Sequence, residues 1–129
     1  MATISAPDLC REIGDNKVRD VLERMWDALD AHFRFKGPVP ARTAKLAAGG
    51  DTKMAKKVIE EAGEVALAVS VKDREEVIAE SADLLYHLVV TWASMGVRPE
   101  DVWNEMTARE AAYGLAEKRA KSTINRQRG

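Results

Sequence analysis

Two helical stretches on either side of one short turn carry acidic side chains in mirror register, with Glu60, Glu61 and Glu64 before the turn and Glu80 and Asp83 after it. Side chains three or four residues apart lie about 60° or 40° apart around a helix axis, so Glu61 and Glu64 share a face, as do Glu80 and Asp83. The turn is expected near Ser70 to Asp73. In an antiparallel hairpin centred on Lys72, Glu64 faces Glu80 and Glu61 faces Asp83.

Carboxylates gathered so closely repel one another, and without a counter-charge some must take up protons near neutral pH. A hard divalent cation relieves that repulsion. All-oxygen ligands suit Mg²⁺ or Mn²⁺, and no cysteine or histidine falls within the clusters to suggest zinc. Magnesium in turn points to a phosphate substrate. A solvated acidic face is the commoner reading of any single cluster of this kind, because glutamate is a good helix former. Two clusters in mirror register are harder to explain that way.

The remaining periodicity is helical throughout, with no convincing alternation of two, so the fold class is all-α. Residues 1–16, with Pro7 and Gly14, are expected to form a loose arm. From Val18, the residues Val21, Leu22, Met25, Leu29 and Phe33 predict an amphipathic helix ending near Gly37 and Pro38. A loop is expected from Pro40 to Gly50. The next helix starts after Asp51 or Thr52, with Met54, Val58, Ala62, Val65, Ala66 and Val69 as its buried stripe and the glutamates at its margins. Asp73 can cap a third helix with apolar positions Val77, Ile78, Leu85, Leu88, Val89 and Trp92. Between Leu84 and Trp92 that helix is apolar on most of its circumference, which predicts burial from several sides and a homodimer or larger assembly centred there. Gly96 ends it, and Pro99, Glu100 and Asp101 open a last helix. A basic tail follows over 122–129, and the folded domain is expected to span 17–121.

Charge and composition narrow the function. A chain of 129 residues that is 46% hydrophobic, with a formal net charge of −1, reads as one soluble domain without the basic excess that binding a nucleic-acid polymer requires. No apolar run is long enough to span a membrane and no signal peptide is evident, so a cytoplasmic protein is expected. Cys10 is the only cysteine, and no catalytic role is expected for it. Lys53, Lys56 and Lys57 occupy the first turns of the acidic helix, where cations oppose the helix dipole; a bound phosphate accounts for them, and so, weakly, does pairing with the glutamates. Arg42, Thr43 and Lys45 lie upstream beside Gly49 and Gly50 and can reach the same phosphates, although the full P-loop pattern is absent. His87, four residues past Asp83 in the most apolar part of the chain, reads as a core histidine before a metal ligand.

The stretches TAKLAAGGDTKMAKKVIEEAGEVALAV (43–69) and EEVIAESADLLYHLVV (75–90) resemble phosphoribosyl-ATP pyrophosphohydrolases of histidine biosynthesis, members of the MazG-like superfamily of all-α nucleoside triphosphate pyrophosphohydrolases. The likeness extends from about residue 17 to 121 and includes Gly114 to Lys121. Ile59 stands where these enzymes usually carry glycine, and Gly63 is unusual within the acidic motif. The resemblance implies a four-helix MazG-like bundle completed by oligomerisation. It implies that Glu61, Glu64, Glu80 and Asp83 bind Mg²⁺, with Glu60 a further ligand or a base. It also implies that Arg42, Lys45, Lys53, Lys56 and Lys57 hold a triphosphate, which is hydrolysed between its α- and β-phosphates. Two other readings stay open at this level: the same chemistry on another nucleoside triphosphate, and a non-catalytic helical dimerisation module.

Overall fold

The computed structural model describes residues 6–114, with side chains described from Val21 onward. The expected tail at 122–129, the stretch 115–121 and the side chains of Cys10 and Val18 lie outside the described residues. Within them the chain is helical: α1 (Ala6–Phe35), α2 (Ala41–Ala48), α3 (Asp51–Ser70), α4 (Arg74–Met95) and α5 (Pro99–Tyr113). No strand occurs among the described residues, as the periodicity predicts.

Two boundaries differ from expectation. Helix α1 starts at Ala6, inside the stretch expected as a loose arm. Pro7 is compatible with that start, because a first-turn residue needs no N–H partner inside the helix. The segment expected as a loop contains α2, which makes five helices among the described residues where four were expected. Its sequence, ARTAKLAA, consists largely of good helix formers, and Pro40 precedes it with an extended ψ of 146°. Only Thr43 and Leu46 are buried, one turn apart, too short a run to show a period.

The first compact unit runs to Pro99, and α4 is its central element, packed against both α1 and α3. Val89 and Val90 are fully buried on α4, with Ala93 one turn further on. From α1 come Leu22, Trp26 and Leu29, at helical spacings of four and three. The Trp26 indole Nε1 donates to the Val97 carbonyl at 2.7 Å, and the Arg98 guanidinium lies 4.9 Å from the ring centroid. That bond fastens α1 to the segment following α4 and contributes about 1 kcal/mol. Helix α5 belongs to the second compact unit and is stitched internally by an Arg109 Nε to Glu105 Oε1 pair at 3.0 Å.

The α3–α4 turn falls where the sequence puts it. Lys72 takes a left-handed φ of 58°, and the Asp73 N–H reaches back to the Ala68 carbonyl at 3.1 Å, closing α3. Asp73 then accepts the Glu76 N–H on its side chain at 3.1 Å and caps α4. Gly96, with φ of 69°, ends α4, and Val97 N–H bonds the Trp92 carbonyl at 2.9 Å.

Candidate active site

On α3 the buried side follows Met54, Val58, Glu61, Val65 and Ala68, at spacings of four and three. This corrects the expected stripe through Ala62, Ala66 and Val69, all of which are exposed. Glu61 therefore sits on the buried stripe and not at its margin, and its side chain is only 14% exposed. A carboxylate so placed needs a partner or a proton.

Its partners come from α3 and α4. Glu61, Glu64 and Glu80 each present a carboxylate oxygen such that all three lie within 4.8 Å of one another. The pairing of Glu64 with Glu80 matches the hairpin register read from the sequence. Glu80 Oε2 is buried without a hydrogen-bond partner. Burial first, then hydrogen bonding with Glu64 and Glu76, then the negative charge of Glu64, raise the Glu80 carboxyl to about 7. Three convergent hard oxygen donors, on carboxylates of which one also has a buried and unpartnered oxygen, fit a divalent cation of the oxygen-preferring class. Among the described residues no histidine or cysteine joins this group.

The other predicted acids lie differently. Asp83 is exposed and outside the group of three, although its charge bears on His87. Glu60 is also outside it and pairs with Lys57 at 2.9 Å. That contact raises the Lys57 ammonium and lowers the Glu60 carboxyl, the shared hydrogen bond being the main cause for each.

Beside the carboxylates lies a cleft of about 240 Å³ lined by Arg42, Lys45, Leu46, Lys53, Lys57, Tyr86 and His87. Four of the five predicted cations meet there. Lys56 does not line it; the side chain is exposed, and its charge acts on Glu60. Gly49 and Gly50 shape the junction between α2 and α3. Gly50 has a φ of 85°, which favours glycine, and a Cβ on Gly49 would collide with the Lys53 side chain. Gly49 thus makes room for a cleft lysine, while Gly50 permits the turn.

His87 joins cleft and carboxylates, so the site role that its sequence context ranks second accompanies the expected burial. It is buried as expected of a core histidine, yet its Nε2 lies 3.6 Å from Glu61 Oε1. Burial is the main force lowering its pKa, partly opposed by the charge of Glu61, so the ring is held towards its neutral form. The signal was there: His87 stands one turn beyond Asp83 on the same helix. Thr43 departs from expectation in the other direction. Its hydroxyl is buried and turned to Tyr86, with Oγ1 and Oη 2.6 Å apart, so it does not line the cleft.

Residues 27–110 match the family model described as phosphoribosyl-ATP pyrophosphohydrolase. The chain is 53% identical over 105 residues to a protein of Bradyrhizobium diazoefficiens named phosphoribosyl-ATP pyrophosphatase 2, covering 81% of this chain and 78% of the relative. It is likewise 53% identical over 107 residues to a protein of the same name from Rhodopseudomonas palustris, covering 83% and 81%. A phosphoribosyl-ATP pyrophosphatase of Gluconobacter oxydans is 45% identical over 101 residues, covering 78% and 75%. The reading as a non-catalytic dimerisation module falls away, and the all-α architecture is that of the MazG-like superfamily. The chain belongs to the phosphoribosyl-ATP pyrophosphohydrolase family, and it is a hydrolase.

Proposed function

We propose that this protein hydrolyses the α–β phosphoanhydride of phosphoribosyl-ATP, releasing phosphoribosyl-AMP and pyrophosphate, as the second step of histidine biosynthesis. The observation that carries the proposal is the junction at His87 of a cleft holding four cations with three converging carboxylates. An anionic chain fits the first and a divalent cation the second. The relatives' names supply the substrate.

In this reading Arg42, Lys45, Lys53 and Lys57 hold the phosphates, and Lys56 adds charge from outside the cleft. Glu61, Glu64 and Glu80 hold Mg²⁺, or Mn²⁺ in its place, with Asp83 as a further ligand. When bound, the cation offsets charge on the phosphate oxygens and makes a water more acidic. The side chains do the rest: they fix the anhydride in place, and one glutamate takes the proton as water adds to phosphorus and the anhydride bond breaks. Glu60 suits that task, since a phosphate that draws Lys57 away frees its carboxylate. No covalent nucleophile is required.

The proposal includes a homodimer or larger assembly, supported by an uncovered apolar face on α3 with Ile59 73% and Leu67 69% exposed. It also includes a cytoplasmic enzyme; among the described residues, no helix is long and apolar enough to cross a membrane. The deciding experiment incubates the protein and Mg²⁺ with phosphoribosyl-ATP and, separately, with common nucleoside triphosphates. Pyrophosphate release from phosphoribosyl-ATP is expected. Release from dNTPs alone would replace the substrate while keeping the chemistry.

A further inference from the structure

Helix α2 carries two of the four cleft cations, Arg42 and Lys45, but has little of its own to hold it in place. It is eight residues long and has no side-chain cap at Pro40. A helix that short is not stable by itself and takes its position from tertiary contacts. Leu46 supplies apolar burial. The polar tie is the hydrogen bond between Thr43 Oγ1 and Tyr86 Oη, at 2.6 Å, which crosses from α2 to α4. Thr43 lies between Arg42 and Lys45 in sequence, and Tyr86 both lines the cleft and directly precedes His87, the residue against Glu61.

We propose that Thr43 and Tyr86 form a latch that positions the α2 cations over the phosphate cleft, making both of them positioning residues for polyphosphate binding. The latch acts on affinity more than on the chemical step, because Arg42 and Lys45 hold phosphates and not the reacting water. A single neutral hydrogen bond is sufficient for a several-fold effect, and its loss also leaves a hydroxyl without its partner. Thr43 therefore contributes without touching substrate.

This inference rests on the cleft being the phosphate site, and the test separates the two. Wild type, Thr43→Val, Thr43→Ser, Tyr86→Phe and the Thr43→Val/Tyr86→Phe double variant are titrated with inorganic tripolyphosphate by calorimetry, and turnover of phosphoribosyl-ATP is measured with Mg²⁺. Thr43→Val and Tyr86→Phe are each expected to weaken tripolyphosphate binding and raise KM by roughly fivefold to tenfold, with KM changing more than kcat. Thr43→Ser restores both values, and the double variant is no worse than either single one, as a shared bond requires. Unchanged binding in both single variants, additive losses in the double, or a Thr43→Ser protein as weak as Thr43→Val would each overturn the latch. Wild type that binds tripolyphosphate with this pattern but does not hydrolyse phosphoribosyl-ATP would overturn the substrate reading and leave the latch standing. Circular dichroism checks each fold, and should Thr43→Val not fold, Thr43→Ala takes its place in the cycle, because Tyr86 lines the cleft and its loss alone does not separate a latch from a direct contact.

Discussion

At the scale of single residues, the Glu80 carboxyl has the most definite consequence. Its folded-state pKa, about 7, lies above the ordinary 4.5. A group whose pKa is raised by folding stabilises the fold while protonated and loses that contribution as pH climbs through the folded value. In metal-free protein the Glu80 contribution should therefore be present near pH 5 and gone near pH 8, the loss falling between about 4.5 and 7, while His87, whose pKa is lowered by burial, works in the opposite sense. Thermal melts in chelator across that range test this, and Glu80→Gln should flatten the profile and raise the melting point at pH 8. The proposed metal-ligand roles predict the effect on catalysis. Glu64→Gln or Asp83→Asn should lower kcat at least a hundredfold while circular dichroism stays that of wild type. Full turnover by either variant removes that position from the site. Gly49→Ala should raise KM, because its methyl group displaces the Lys53 side chain from its place in the cleft.

At the scale of elements, the α3–α4 hairpin was legible because local and long-range signals agree on it. Asp73 is both a turn residue and a cap, and Gly96 and Pro99 mark the next boundary. Replacing Asp73 with alanine should cost about 1 kcal/mol in denaturant unfolding, and Asn or Ser should recover most of it. Helix α2 was not legible, since Pro38, Pro40, Gly49 and Gly50 crowd a segment with only two buried side chains. The rotation of α3 differs from expectation for a more instructive reason. Apolarity alone favours Ala62, Ala66 and Val69 as its inner side, but from Glu61 onward the buried stripe lies one residue earlier, a rotation of about 100°. A charged side chain is turned inward there and apolar ones outward, so hydropathy cannot identify the inner face. That same rotation explains why spacing found Glu61, Glu64 and Glu80 but did not separate Asp83 from them or bring His87 to Glu61.

At the scale of the whole molecule, the apolar circumference of α4 predicts a surface awaiting another subunit. Much of it is met within the chain, by α1 and α3. The uncovered apolar residues include Ile59, Leu67, Val69 and Val71 from α3 and its turn, with Ile78 and Leu85 from α4. Ile59 and Leu67 are two turns apart on one face, with Gly63 midway between them. Sedimentation velocity should give a dimer or larger species for wild type, and Ile59→Lys or Leu67→Lys should shift it towards monomer. A wild-type monomer at micromolar concentration would remove the assembly from the proposal.

The order of charges along α3 has a kinetic corollary. Lys53 and Lys57 come first and Glu61 and Glu64 follow, so the helix presents an electrical gradient over about 16 Å. An incoming polyanion is drawn to one end and repelled from the other, and so acquires an orientation before any specific contact forms. Such steering is screened by dissolved ions. Added potassium chloride should therefore slow capture of the nucleotide well before it affects the rate of the bound complex.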